Sequence, residues 1–112
     1  MFCIQENTEY HELMEGIEVR TLAHGEKTLM AEYRLKSGSR LPEHSHPHEQ
    51  TGYLVSGKLR LYAGDEVIEA GPGDSWCIDG NVFHRADVLE DSLAVEVFSP
   101  VREDLLPEAH QK

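Results

Sequence analysis

Gly38-Ser39-Arg40-Leu41-Pro42-Glu43-His44-Ser45-His46-Pro47-His48-Glu49-Gln50-Thr51-Gly52-Tyr53-Leu54-Val55-Ser56-Gly57 is the stretch on which the reading of this chain turns. In extended backbone, side chains alternate between two faces. His44 and His46 therefore point to the same side, and Gln50, four residues further on, joins them. Two imidazoles and an amide oxygen aimed into one cavity make a three-point metal site. A further ligand has to come from elsewhere, and His84, in Asn81-Val82-Phe83-His84 on a later strand, is the candidate. His48 shares the parity, but Pro47 breaks the strand geometry beside it, so it is read as a neighbour and not a ligand. On spacing alone a second reading stays open, in which His44, His46 and His48 are exposed loop histidines beside Pro42 and Pro47. His11, His24 and His110 sit in polar contexts and are read as surface residues.

Outward from that stretch, turn residues punctuate the chain at short intervals: Gly16, Gly25, Gly38, Pro47, Gly57, Gly64, Gly71-Pro72-Gly73 and Gly80. The segments between them alternate apolar and polar residues or are rich in β formers: 17–22, 29–35, 52–55, 59–62, 66–69, 75–78 and 93–98. Short strands at this spacing, without a long helical period, indicate an antiparallel sandwich or small barrel. Ser56-Gly57-Lys58 reads as a tight hairpin turn and Gly71-Pro72-Gly73-Asp74 as a corner. Helix candidates are confined to Glu9–Glu15 and Arg102–His110, the second interrupted by Pro107. No repeat, linker or low-complexity tract divides residues 1–112, and the expectation is one all-β domain.

Ten Lys and Arg against 21 Asp and Glu give a net charge of −11, which argues against nucleic acid or an anionic membrane as partner. No apolar run exceeds four residues, so no membrane span is expected. Met1-Phe2-Cys3-Ile4-Gln5 has neither the basic start nor the apolar stretch that export requires, and a cytoplasmic chain is expected. Cys3 and Cys77 are too far apart in sequence for a paired thiolate motif and are read as small hydrophobes in a reducing compartment.

The spacing Gly38-x5-His44-x-His46-x3-Gln50-x6-Gly57 resembles the first cupin motif, with Gln50 where Glu is usual. Gly73-x5-Asp79-x-Asn81-x2-His84 resembles the second, with Asp79 for its Pro and Asn81 for its Gly. The resemblance implies a double-stranded β-helix jelly roll, the cupin barrel, with motifs at 38–57 and 73–84. It also implies one divalent metal ion (nickel, zinc, manganese or iron) held inside by His44, His46, Gln50 and His84. A narrower similarity, over 44–57 and Phe98-Ser99-Pro100-Val101-Arg102-Glu103-Asp104, is to small single-domain cupins of the pectin-degradation KdgF type. Members of that group open the ring of 4,5-unsaturated uronates from pectin or alginate into linear keto sugars. Their catalytic Asp, Phe and Arg fall here on Glu96, Phe98 and Arg102. The resemblance also implies a homodimer.

These resemblances make Glu96 and Arg102 the expected catalytic residues, with Phe98, Arg102 and Tyr53 contacting a sugar acid. Phe98, Tyr53 and Trp76 read equally well as core or wall. Arg102 fits a substrate carboxylate as a planar fork, or pairs with Glu103 or the C-terminal segment. Leu93–Val97 is a β pattern, so Glu96 faces either the interior or solvent, with Val95 and Val97 buried in the second case. Four neutral ligands would leave the metal its full dipositive charge and a strong Lewis acid. Two further functions are kept beside the isomerase: a metal-dependent dioxygenase, as in related cupins, and a non-catalytic small-ligand module.

Overall fold

Leu29, Ala31, Tyr33 and Leu35 are buried while the residues between them face outward, the signature of a strand with one face on a core. The computed structural model, which describes residues 1–107, has eight strands. They are β1 (His11–Met14), β2 (Ile17–His24), β3 (Leu29–Leu35), β4 (Arg40–His44), β5 (Glu49–Ala63), β6 (Glu66–Ala70), β7 (Ser75–Ile78) and β8 (His84–Ser99). All pairings are antiparallel. Among the described residues no helix is long and apolar enough to cross a membrane.

The architecture hangs on a ribbon of β5 and β8, which pair from Glu49↔Ser99 to Ala63↔His84. The first half of β5 and the second half of β8 belong to a layer ordered β1-β2-β3-β8-β5-β7. The other halves carry β4 and β6, giving β4-β8-β5-β6. Ile17, Tyr33, Leu54 and Phe98 from one layer and Leu59, Ala70 and Val88 from the other form a common core. This is the jelly roll.

The ribbon changes register at Leu54/Ser56, Ser56/Lys58 and Lys58/Leu59, where it passes between layers. The expected hairpin at Ser56-Gly57-Lys58 is therefore absent: the chain runs straight through it as a bulge. Glycine is needed here for a different reason. Gly57 has φ of +97°, and a Cβ would overlap the Ser92 hydroxyl and the Asp91 carbonyl across the ribbon. The Lys58 N–H, displaced from the ladder, donates to Ser92 Oγ at 3.0 Å. The corner at Gly71–Asp74 forms as expected, closed by Asp74 N–H to the Gly71 carbonyl and Gly71 N–H to Asp74 Oδ2.

The helix expected over Glu9–Glu15 is instead edge strand β1, paired with β2 through a turn at Gly16. Too short to stabilise itself as a helix, the segment takes its hydrogen bonds from the sheet. The second helix candidate yields a single 3-10 turn at Glu103–Leu105, anchored by buried Leu105; its residues 108–110, including His110, lie outside the described residues.

Gly57→Ala should lower stability by about 2 kcal/mol, the middle of the range for a residue forced into left-handed backbone. Urea unfolding at unchanged m-value checks it, and wild-type stability would show that the bend tolerates a side chain.

Candidate metal and acid site

The histidine-bearing segment is not one continuous strand, as its parity suggested. β4 ends at His44, 45–48 form a loop, and β5 begins at Glu49. The convergence is enforced from across the barrel mouth. Asn81 N–H donates to the His46 carbonyl at 2.7 Å, and Gly80 leaves room for the Pro47 carbonyl, which a Cβ would strike. Asn81 itself has φ of +68°, a left-handed conformation that asparagine tolerates better than most residues. The two motif loops are thus stapled together.

The imidazoles of His44 and His84 lie 4.2 Å apart between ring centroids, His46 and His84 5.0 Å, and His44 and His46 5.7 Å. Each Nδ1 meets a backbone carbonyl: His44 that of Pro42 at 2.8 Å, His46 that of His48 at 3.1 Å, His84 that of Val82 at 2.9 Å. A carbonyl only accepts, so each Nδ1 carries the hydrogen and each neutral ring keeps its lone pair on Nε2. Ligand atoms of the three lie within 4.8 Å of one another. His84 Nε2 is buried without a hydrogen-bond partner among the described residues. His46 Nε2 faces Gln50 Oε1 at 3.0 Å, two acceptors pointed at each other. Lone pairs converging in this way fit a divalent cation, which His44, His46 and His84 could hold. Burial holds the His46 and His84 pKa values below the usual imidazole value; for His46, Arg102 and then His84 push further the same way.

Behind Gln50 stands Glu96. Its side chain points inward at 6% exposure, and Val95 and Val97 take the outer face, which resolves the two readings of this strand. Gln50 Nε2 donates to Glu96 Oε2 at 3.0 Å and Trp76 Nε1 to Oε1 at 2.7 Å. Burial pushes the Glu96 pKa up to about 7, against the pull of the Trp76 and Gln50 hydrogen bonds and of Arg102. A Cβ on Gly52 would overlap both the indole nitrogen and the Glu96 carboxylate. Nothing in the sequence pairs Trp76 with Glu96; they meet because both strands flank β5.

Arg102 follows β8. It stacks over Phe98, 4.8 Å from guanidinium carbon to ring centroid, and grips Asp104 with two hydrogen bonds of 3.2 and 2.7 Å. Its partner is thus Asp104, not Glu103. His44, Gln50, His84, Glu96, Phe98 and Arg102 line one cavity of about 330 Å³, whose remaining wall is largely apolar. Tyr53 does not join them: it lies on the opposite face of β5 from Gln50, half exposed. His48 stays beside His46 but outside the ligand cluster, and His11 and His24 do not line the cavity.

The cupin domain profile matches residues 31–100, a span that contains all of these inward-facing groups except Arg102. The chain belongs to the cupin family. Among solved structures, this cupin is similar to KdgF from Halomonas sp., with 30% identity over 95% of this chain and 100% of the other, at a TM-score of 0.89. It is similar to an RmlC-like cupin from Shewanella frigidimarina at 25% identity, over 94% and 95% of the two chains, also with a TM-score of 0.89. An oxalate decarboxylase from Bacillus subtilis shares the fold at 24% identity and a TM-score of 0.76, over 85% of this cupin and 28% of the larger enzyme. No curated protein matches the cupin's sequence.

The raised Glu96 pKa fixes a sign for the metal-free protein. Below the usual carboxylate value of 4.5, folded and unfolded chains both carry the proton. As pH rises, the unfolded chain gives it up first, so the stability contributed by the neutral buried acid is lost as pH climbs through about 7. After chelation, the melting temperature of wild type relative to Glu96→Gln should fall across that window. A pH-independent difference would show Glu96 to be charged throughout.

Proposed function

We propose that this cupin binds one divalent metal ion through His44, His46, His84 and Gln50 and catalyses a non-redox ring opening of 4,5-unsaturated uronates to linear keto sugars. The observation that carries the reading is the Gln50 amide, whose oxygen faces the histidine lone pairs while its nitrogen is tied to a buried carboxyl. The KdgF of Halomonas sp., similar over nearly the whole chain, supports the reaction class.

When bound, the metal would act as a Lewis acid on a sugar hydroxyl or carboxylate. Nickel, zinc, manganese and iron all suit a donor set of three imidazoles and an amide oxygen. The reaction is an isomerisation: one proton leaves the anomeric hydroxyl, one is delivered to the enol carbon, and the ring C–O bond breaks. Glu96, poised near neutrality in a dry wall of the cavity, is suited to hold and return that proton at a carboxyl oxygen. Arg102 supplies the cation for the substrate carboxylate, stiffened by its seat on Phe98. Phe98, 1% exposed and edge-on to His46, walls the site.

The test is loss of the conjugated double bond's ultraviolet absorbance when unsaturated galacturonate meets the protein. Loss should outpace the spontaneous reaction, cease after chelation, and fall about a hundredfold or more in Glu96→Gln at saturating metal. No acceleration with metal bound overturns the reading; oxygen consumption instead would point to a dioxygenase.

The homodimer belongs to the same proposal. Met30, Tyr53 and Val55 are exposed on the outer face of β3 and β5, with Val95 and Val97 between them on β8, an apolar patch bordered on β3 by Glu32 and Arg34 and of the kind that marks a protein–protein contact. Wild type should sediment as a dimer and Tyr53→Glu as a monomer; a monomeric wild type removes this part of the reading.

A further inference from the structure

Glu96 receives N–H donors from two strands at once: the Trp76 indole on β7 at Oε1 and the Gln50 amide on β5 at Oε2. An indole nitrogen can only donate. A glutamine amide, by contrast, has nearly the same shape when turned end for end, so packing does not choose its orientation and only its partners do. With Glu96 ionised both of its oxygens only accept, and the partners choose decisively. With the nitrogen end committed to Glu96, the oxygen end faces His46 at 3.0 Å. Gly52, with no Cβ, leaves the gap in which the indole and the carboxylate meet.

We propose that Glu96, braced by Trp76, is the positioning residue that fixes which end of Gln50 faces the histidines, so that the metal's oxygen donor is set from the wall behind it. This rests on the metal reading proposed for the site and adds to the acid a role independent of turnover.

The chemistry of an amide at position 96 makes the proposal sharp. Glu96→Gln offers one oxygen and one NH2 to two donors. If its oxygen keeps the indole, its NH2 opposes Gln50, which reverses and turns an NH2 without a ligand lone pair toward the histidines. If its oxygen keeps Gln50, the indole N–H opposes an NH2 in a buried site. Trp76→Phe removes the indole donor, so in the double variant Trp76→Phe/Glu96→Gln the new amide is free to turn its oxygen to Gln50. The second substitution should therefore repair the first.

The experiment measures Co²⁺ affinity by chelator competition, and the Co²⁺ visible spectrum, on wild type, Glu96→Gln and the double variant, with melting temperatures as the check on folding. Glu96→Gln should bind about 10–100-fold more weakly with an altered spectrum, as loss of outer-shell partners does elsewhere. The double variant should return to near wild-type affinity and spectrum. Equal affinity in Glu96→Gln, or a folded double variant no better than Glu96→Gln, overturns the proposal. Should a variant not fold, 15N-labelled metal-free wild type decides: one Gln50 side-chain amide proton and the Trp76 indole proton should be protected from exchange, and rapid exchange of both overturns it. Wild type that binds no Co²⁺ removes the metal reading instead, and the amide protection then decides the orientation of Gln50 by itself.

Discussion

Two strands of 15 and 16 residues, paired nearly end to end, are too long to lie in one flat layer over a core this small. The β5–β8 ribbon must bend, and the bend at Gly57 gives each strand a half in both layers. Gln50, Glu96 and Phe98 consequently project from one layer, His44 and His84 sit where β4 meets the other, and the space between them is the cavity. The site does not decorate the fold; it occupies the opening that the bent ribbon creates.

Within that opening the hydrogen bonds converge on Glu96. Indole N–H gives to carboxylate, amide N–H gives to the same carboxylate, and amide oxygen looks toward imidazole lone pairs whose tautomers are set by carbonyls behind them. A chain of this kind is over-determined at every member but the last, which ends in acceptors with no donor. Buried polar groups are ordinarily paired; of the two buried side-chain nitrogens without a partner among the described residues, His84 Nε2 belongs to the histidine cluster and His48 Nδ1 lies beside it.

How far this was legible from sequence depends on which physical rule each feature obeys. An all-β sandwich or barrel was legible because short alternating segments between turn residues leave few other arrangements, and the jelly roll followed from the resemblance of 38–57 and 73–84 to the two cupin motifs. The histidines and Gln50 could be grouped by parity, although a loop stapled to Asn81, rather than one strand, brings His46 in. Gly57 misleads because glycine serves a hairpin and a bulge equally well, and the distinction lies in Ser92 across the ribbon. Alternation tells that Glu96 opposes Val95 and Val97, but not which set faces inward; the neighbouring strands decide that. Tyr53 misleads for the same reason, one position out of phase with Leu54. The Trp76–Glu96 contact was invisible, since β7 and β8 follow one another in the chain without pairing, and the two side chains meet across β5, which lies between them.

Arg102 is engaged before any ligand arrives. Its fork is filled by Asp104, a carboxylate two residues away whose side chain is 61% exposed. For an anion entering the cavity, this arginine offers an exchange of partners and not a capture. The tether keeps Asp104 at high effective concentration, while its contact with water makes release cheap. Selectivity then comes from whatever the rest of the anion does in the cavity, since the guanidinium's own attraction is matched against a competitor the chain supplies itself.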